Sequence, residues 1–103
     1  MPDPRIWPIA RATDTFFPVT NASQVCLAAN QYRGDVDFTN DSDYIIYLAR
    51  GNAAVVGSGI RLNPQGGSYH IGTNNLFHGA IYAIADCDDQ IEANLAISEG
   101  NQP

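Results

Sequence analysis

The residue types that most often carry catalysis are sparse in this chain. Its two histidines, His70 and His78, each fall in a segment that we predict to be a strand. Neither has a serine or cysteine nucleophile in a recognisable elbow nearby, and no Cys/His spacing matches a zinc site. We therefore expect solvent-facing or interface histidines, no metal, no cofactor and no enzymatic activity.

Carboxylates occur in short groups along the chain: Asp35 and Asp37; Asp41 and Asp43; Asp86, Asp88 and Asp89. Carboxylate and carbonyl oxygens in a turn are the ligands that Ca²⁺ prefers. The twelve-residue calcium loop, with Gly at its sixth position and Glu at its last, is absent from the sequence. We interpret these groups as solvated turns that keep a β-protein soluble.

Three shorter features have a plain structural interpretation. Two cysteines, Cys26 and Cys87, are too few for the disulfide framework of a small secreted domain, so we expect two free thiols. Because Cys26 alternates with its neighbours, we expect it to point away from the face that Val25 and Leu27 bury. The tripeptide Arg33-Gly34-Asp35 matches an integrin motif, but it lies at the entry to a predicted strand, which argues against adhesion.

Composition limits the classes of partner. The chain has 103 residues, which is one domain, and its eleven acids outnumber five arginines without any lysine, for a net charge of -6. Nucleic acid requires a basic stripe, and anionic lipid repels an acidic protein, so we expect neither partner. No apolar run reaches the length of a membrane span, and the N-terminus lacks the pattern of a signal peptide. We predict a soluble protein made in a cytoplasm that binds protein, with glycan as the less favoured partner.

Alternation with a period of two predicts an all-β protein. No segment repeats apolar residues at helical spacing over three turns, and Gly, Pro, Asn and Asp interrupt every stretch. Candidate strands lie at 15–19, 24–28, 35–39, 44–49, 53–56, 59–62, 68–71, 76–79, 80–85 and 91–98. Several short strands at this spacing predict a single antiparallel β-sandwich or barrel of seven to eight strands over residues 15–100.

Some predicted strands have one solvent-exposed face, and others are apolar on both faces. In the last strand Ile91, Ala93, Leu95 and Ile97 share one face, which we expect to be buried, while Glu92 and Asn94 face solvent. The segments 44–49 and 80–85 are apolar on both faces. They are therefore central strands, or strands whose outer face meets a neighbour.

Both ends differ from the middle of the chain. Residues 1–14 contain three prolines, which favours an extended arm with Ile6, Trp7 and Ile9 as candidate protein-binding residues. Two interpretations remain open: the arm folds back on its own domain as a strap, or it inserts Trp7 into a neighbouring subunit. Residues 101–103 are expected to be a frayed end.

The order of features over residues 28–100 resembles a known group of proteins. The segments that carry the resemblance are Ala28-Ala29-Asn30-Gln31-Tyr32-Arg33, Asn40-Asp41-Ser42, Gly59-Ile60-Arg61-Leu62-Asn63-Pro64-Gln65-Gly66-Gly67-Ser68-Tyr69, Phe77-His78-Gly79-Ala80-Ile81-Tyr82-Ala83-Ile84 and Asn94-Leu95-Ala96-Ile97-Ser98-Glu99-Gly100. They resemble the small β-sandwich virion proteins of tailed bacteriophages, which are head-decoration or tail-associated subunits. The chain departs from that pattern at Ala49-Arg50-Gly51, and residues 1–14 lie outside it.

The resemblance implies a structural protein of the virion without catalytic residues. The expected function is that of a capsid decoration or cement protein, which binds the major capsid protein or another virion protein and forms a symmetric homo-oligomer on the shell. Its expected location is the virion, assembled in the host cytoplasm. The alternatives are a tail or neck component and a receptor-binding or carbohydrate-binding β-sandwich of the virion.

Overall fold

A computed structural model describes residues 9–102 of the chain. Its strands are β1 (Arg11–Val19), β2 (Gln24–Leu27), β3 (Arg33–Asn40), β4 (Ile45–Arg50), β5 (Ile60–Leu62), β6 (Ser68–Ile71), β7 (Ile81–Asp86) and β8 (Ala93–Asn101). The one helical element in this part of the chain is a 3₁₀ turn at Thr73–Asn75. Within residues 9–102, no helix is long and apolar enough to cross a membrane.

The strands form two four-stranded antiparallel sheets. The first sheet has the order β1-β8-β3-β6, and the second has the order β2-β7-β4-β5. Apart from β4 and β5, which pair with each other in the second sheet, successive strands alternate between the sheets. This is the pattern of a jelly roll, which is two Greek keys wound into a sandwich. The all-β class and the antiparallel sandwich predicted from the sequence are therefore confirmed.

The core lies between the two sheets and follows the predicted alternation. The inward residues of β8, Ala93, Leu95 and Ile97, are buried as predicted, whereas Ile91 precedes the strand and is half-buried. The prediction for Cys26 is wrong, because Cys26 is buried and Val25 is 43% exposed. Val25 lies opposite the outward Tyr82 and therefore faces out, so Cys26 next to it faces the core. A β-bulge between Val25 and Leu27 then places Leu27 opposite the inward Ile81, on the same side as Cys26.

Two predicted strands are loops instead. Residues 53–56 belong to the β4–β5 loop, whose Gly51, Gly57 and Gly59 have φ values of 76°, 88° and 84°. Glycine adopts this left-handed backbone readily, and a β-strand cannot contain it. The glycines before and after residues 53–56 therefore prevent a strand from forming there. Residues 76–79 belong to the β6–β7 loop, so His70 lies in a strand but His78 does not.

Strands β4 and β7 are the two central strands of the second sheet, which explains why both of their faces are apolar. Their outer face is partly covered by the protein itself. The β4–β5 loop reaches across the sheet, because the Ala54 amide donates a 2.8 Å hydrogen bond to Ser23 Oγ beside β2. Tyr47 points outward yet is only 8% exposed, in agreement with this covering.

The ends of the sandwich extend beyond the predicted domain limits. Strand β1 begins at Arg11 and pairs along its whole length with β8, which continues to Asn101. The boundary predicted at residue 15 thus falls inside β1, and Asn101 belongs to a strand rather than to a frayed end. Ile6 and Trp7 lie outside the described residues.

The register of β8 can be tested by a pair of substitutions. Leu95 is fully buried, so Leu95→Ala should lower the free energy of unfolding by about 2–5 kcal/mol through the cavity it leaves. Asn94 faces the outer side of the same strand, and Asn94→Ala should cost little. Equal effects in chemical denaturation would show that the register is wrong by one residue.

Candidate functional site

A buried arginine stands at the start of β3. The Arg33 side chain is fully buried, and its Nε donates to Glu99 Oε2 of β8 at 2.6 Å. Nη1 donates to the carbonyls of Phe77 and Gly79, at 2.7 and 3.0 Å, and Nη2 to the carbonyl of Ala28 at 2.7 Å. One guanidinium therefore joins β3, β8, the β2–β3 loop and the β6–β7 loop.

These contacts give Arg33 a structural role. A buried charge is tolerated only when it is paired and fully hydrogen-bonded, as this one is. The burial of Arg33 also excludes the integrin-type interpretation, since Gly34 and Asp35 lie inside β3 and a receptor cannot reach the guanidinium.

A buried asparagine plays the corresponding role at the other end of β3. Asn40 is fully buried, and its Nδ2 donates to the carbonyls of Tyr44 and Leu62 at 2.6 and 3.0 Å. Its Oδ1 accepts from Ser42 Oγ at 2.6 Å. Strand β3 thus fixes the loops at both ends of the sandwich.

Charge is distributed unequally between those two ends. The loops at the Asn40 end span 20–23, 41–44, 63–67 and 87–92. Together with the end of β7 they carry six carboxylates: Asp41, Asp43, Asp86, Asp88, Asp89 and Glu92. We call this the acidic end. The loops at the Arg33 end span 28–32, 51–59 and 72–80, and these contain no Asp, Glu, Lys or Arg, although the exposed Arg11 and Arg50 lie at the strand ends beside them. We call this the uncharged end.

Tyr32, Leu76 and Ile9 expose apolar surface at the uncharged end, and Tyr32 is 62% exposed. The exposed Val55 and Val56 belong to the β4–β5 loop, which leaves this end to cross the outer face of the second sheet. Elsewhere among the described residues, Phe16 on the first sheet is 70% exposed. An apolar surface without charged loops is unusual in an acidic protein. Another protein can cover such a surface without removing water from charged groups. The sequence prediction did not identify Tyr32 or Leu76. The sequence does contain three segments without charged residues, but only the order of the strands shows that these segments are loops at the same end of the sandwich.

Ile9 lies at the same end, where the described chain begins. It is 39% exposed and packs over two glycines of the first sheet, since a Cβ built on Gly34 or Gly100 would come within 2.7 Å of its side chain. The amide of Ala10 donates to the Asn101 carbonyl at 2.9 Å. Of the three candidate binding residues, Ile9 therefore contacts its own domain, and the positions of Ile6 and Trp7 are not described.

The described residues do not assemble a catalytic centre. His70 Nδ1 is 2.6 Å from Asp37 Oδ1, but both side chains are more than half exposed. Ser98 lies on the same outer face, separated from His70 by β3, so about 10 Å of sheet divides nucleophile from base. No group of three or more His, Cys, Asp and Glu within residues 9–102 could hold a metal ion.

Both cysteines are free, as predicted. Burial raises the pKa of Cys26 to about 12. The pKa of Cys87 is also raised, first by desolvation and then by Asp88, Asp86 and Asp89. Cys26 lies opposite Ile81 and Tyr82 at one end of β7, whereas Cys87 follows the other end, so roughly 16 Å of strand separates them. That distance excludes a bridge, and the raised pKa values make neither thiol a reactive nucleophile.

Open depressions mark the surface formed by the described residues. One, of about 440 Å³, lies beneath the β4–β5 loop and is lined by uncharged residues and Arg50. Another, about 430 Å³, lies at the uncharged end between Tyr32, Arg11, Asn101 and Gln102. Comparisons of the chain with family models, curated proteins and solved structures find no match.

Removing the Arg33 guanidinium should destabilise the protein strongly. Arg33→Met removes the cation that pairs with Glu99, which keeps only the weaker donor Asn30 Nδ2, and removes the donor to three loop carbonyls. We therefore expect a loss of about 3–5 kcal/mol in the free energy of unfolding. Arg33→Lys should restore only part of it, because one ammonium cannot reach this spread of acceptors. The control is Arg11→Met at an exposed position. Similar small losses for Arg33→Met and the control in thermal or chemical unfolding would contradict the assignment.

Proposed function

We propose that the protein is a structural subunit of a tailed-phage virion, a capsid decoration or cement protein that attaches to the outer shell through its uncharged end. It works by protein–protein contacts and catalyses no reaction. The observation that carries the proposal is the separation of carboxylates along the sandwich: five lie in the loops of one end, with Asp86 of β7 beside them, and none lies in the loops of the other.

Electrostatics orients such a subunit. The chain has a net charge of -6, so most of its surface is repelled by DNA, by anionic lipid and by other acidic proteins. The loops of the uncharged end can meet an apolar protein surface without desolvating carboxylates. Tyr32, Leu76 and Ile9 supply the apolar area there. The acidic end then faces solvent and keeps decorated particles apart.

The N-terminal segment begins at the same end. Residues 1–8 precede Ile9, and eight residues span at most about 28 Å when extended. Ile6 and Trp7 stand within three residues of Ile9 along the chain, and aromatic side chains are the most effective anchors at protein interfaces. Weak contacts repeated over a symmetric shell give strong net attachment.

The fold agrees with this proposal without requiring it. Jelly rolls occur in viral capsid proteins and in lectins, and a fold shared by many functions supports an assignment only by analogy. The likeness of residues 28–100 to small phage virion proteins points to the same class of function.

A carbohydrate-binding component of the virion is the second candidate. The exposed Tyr32 ring beside the side chains of Asn101 and Gln102 is an arrangement that can stack on a sugar and bind its hydroxyls. Titration of the protein with saccharides from a glycan array, without particles, distinguishes this candidate from shell attachment.

A carboxylate introduced at the uncharged end should prevent attachment. We expect Leu76→Asp and Tyr32→Asp to weaken binding to particles that lack the protein by about tenfold or more. The matched control is Ala22→Asp, which adds the same charge to an exposed loop of the acidic end. Co-sedimentation with the particles measures the affinity. Loss of binding in the control alone, or no binding by the unaltered protein, would refute the proposal.

The N-terminal segment should contribute more to attachment than to folding. Because Arg11 belongs to β1 and Ile9 packs on the sheet, the deletion should remove residues 1–8 only. We expect this deletion, and Trp7→Ala, to weaken particle binding by about 30-fold, as for an anchor worth about 2 kcal/mol, with little change in melting temperature. If melting collapses while the folded fraction binds normally, Trp7 is an internal strap.

A further inference from the structure

Strand β1 forms one edge of the first sheet, and no strand among residues 9–102 pairs with its outer side. It has nine residues, whereas the other three edge strands have three or four. Every residue from Arg11 to Phe16 is exposed, although successive side chains point to opposite faces. A long edge of this kind is a site where another strand can add, because its outward N–H and C=O groups lack a ladder partner.

The hydrogen bonds of β8 show which groups of β1 point to the open edge. The Asn94 carbonyl accepts from the Asp41 amide, so the even-numbered residues of β8 direct their backbone groups to β3 and the odd-numbered ones to β1. The odd residues of β1 lie opposite those odd residues and bond to them. Pro18, which has no N–H, belongs to the even series, as is typical of proline in an edge strand. The residues that direct N–H and C=O groups to the open edge are therefore Ala12, Asp14 and Phe16.

The N-terminal residues have the sequence of a strand that can pair on one side only. All three prolines before Ile9 are even-numbered, at positions 2, 4 and 8, so in an extended chain their missing N–H groups fall on a single edge. The opposite edge carries the N–H groups of Asp3, Arg5 and Trp7. Residues that precede proline also favour extended backbone. Residues 2–8 can therefore add to a sheet with their proline side facing solvent.

We propose that residues 3–7 of one copy pair antiparallel with residues 12–16 of a neighbouring copy and extend its first sheet by one strand. Addition of an extended segment to a free sheet edge is a recurring mode of recognition. With Arg5 opposite Asp14, the three outward N–H groups of β1 and the three of the segment are all paired. A shift by two residues in one direction brings Asp3 against Asp14, and a shift in the other direction places Trp7 there.

The side chains favour the same register. Opposite residues of an antiparallel pair share a face, so Arg5 meets the exposed Asp14 carboxylate on the outer face of the sheet. Trp7 lies opposite Ala12, next to the β8 glycine that Ile9 of the receiving copy covers. The small Ala12 leaves room for the indole, and Ile9 gives it an apolar contact. Charge and apolar area are thus both complementary.

The position of Ile9 explains why a neighbouring copy receives the segment. The Ile9 side chain lies over Gly34 of β3 and Gly100 of β8, so the chain reaches β1 from the side of the sheet away from the open edge. A hairpin between residues 2–8 and β1 of the same copy would require Ile9 on the other side of β1. The open edge of one copy is therefore matched by the segment of another.

The same position sets how the two copies are oriented. Gly100 lies opposite Ala12, and a straight continuation of β1 would carry residue 9 about 10 Å past that level. Because Ile9 contacts Gly100, the chain turns back at Ala10. The donor's β1 then runs parallel to the β1 that receives its segment, so the uncharged ends of both copies face the same side. Repeated from copy to copy, this contact is head-to-tail and can close into a ring.

Sedimentation equilibrium of the full chain, from micromolar to millimolar concentration and without particles, tests the proposal. We expect concentration-dependent association with a blue shift in the emission of Trp7, the only tryptophan. Arg5→Asp and Asp14→Arg should each weaken association by about tenfold or more, and their combination in one chain should restore it. The matched control is Asp37→Arg, an exposed carboxylate two strands from the edge, which should have no effect.

Two proline substitutions separate pairing at the edge from folding. Ala12→Pro removes an N–H that points to the open edge, so it should abolish association with little change in melting temperature. Thr13→Pro removes an N–H that bonds to β8, so it should lower the melting temperature markedly. A peptide of residues 1–8 in excess should dissociate the unaltered protein, and the same peptide with Arg5→Asp should not.

Any one of three results would overturn the proposal. The first is a monomer at every concentration, which together with a shifted Trp7 emission would place the segment on its own domain. The second is association that survives Ala12→Pro. The third is a charge exchange that fails to restore association lost in the single variants. Circular dichroism and thermal melting confirm that the variants are folded. Association of copies is measured without particles, so its failure is distinguishable from a failure of shell attachment.

Discussion

The ion pair between Arg33 and Glu99 is the interaction on which the ordered arrangement of one whole end of the sandwich depends. Loops at a sheet end leave carbonyl groups that no ladder satisfies, and a buried carbonyl without a donor is costly. Arg33 donates to three such carbonyls, at Ala28, Phe77 and Gly79, while Glu99 neutralises its charge. A planar guanidinium suits this role because its fixed fork reaches several acceptors at once.

Asn40 shows that β3 organises the opposite end by the same means. There the side chain is neutral and donates to loop carbonyls from a fully buried position. Because polar groups of β3 fix both ends, the loops can vary in composition without losing their anchors. The acidic and uncharged ends are then free to specialise, one for solubility and one for contact.

Local pattern was sufficient to predict the strands and the sandwich, because alternation in segments such as β3 and β8 depends only on which face meets the core. It was insufficient where tertiary contacts decide. Residues 53–56 have the composition of a strand but cross a sheet as a loop. Pairing with β7 turns Val25 outward, and a bulge places Leu27 on the same side as Cys26, neither of which the local pattern specifies. The burial of Arg33 could not be predicted, since Glu99 is 66 positions away along the chain. The candidate surface was missed for the same reason, because its loops meet only in the folded protein.

The Arg33–Glu99 pair also connects stability with the character of the uncharged end. Glu99 is directed inward by β8 at this end, and an unpaired carboxylate there would place negative charge beneath the apolar loops. Pairing with Arg33 cancels that charge and buries it, so the end presents apolar side chains over a neutral interior. Two hydrophobic side chains of the same volume could stabilise the sheet equally well. They could not donate hydrogen bonds to the carbonyl groups of the two loops. The buried charge is therefore best explained by its geometry: it fixes the loops of the uncharged end, which we propose as the contact surface.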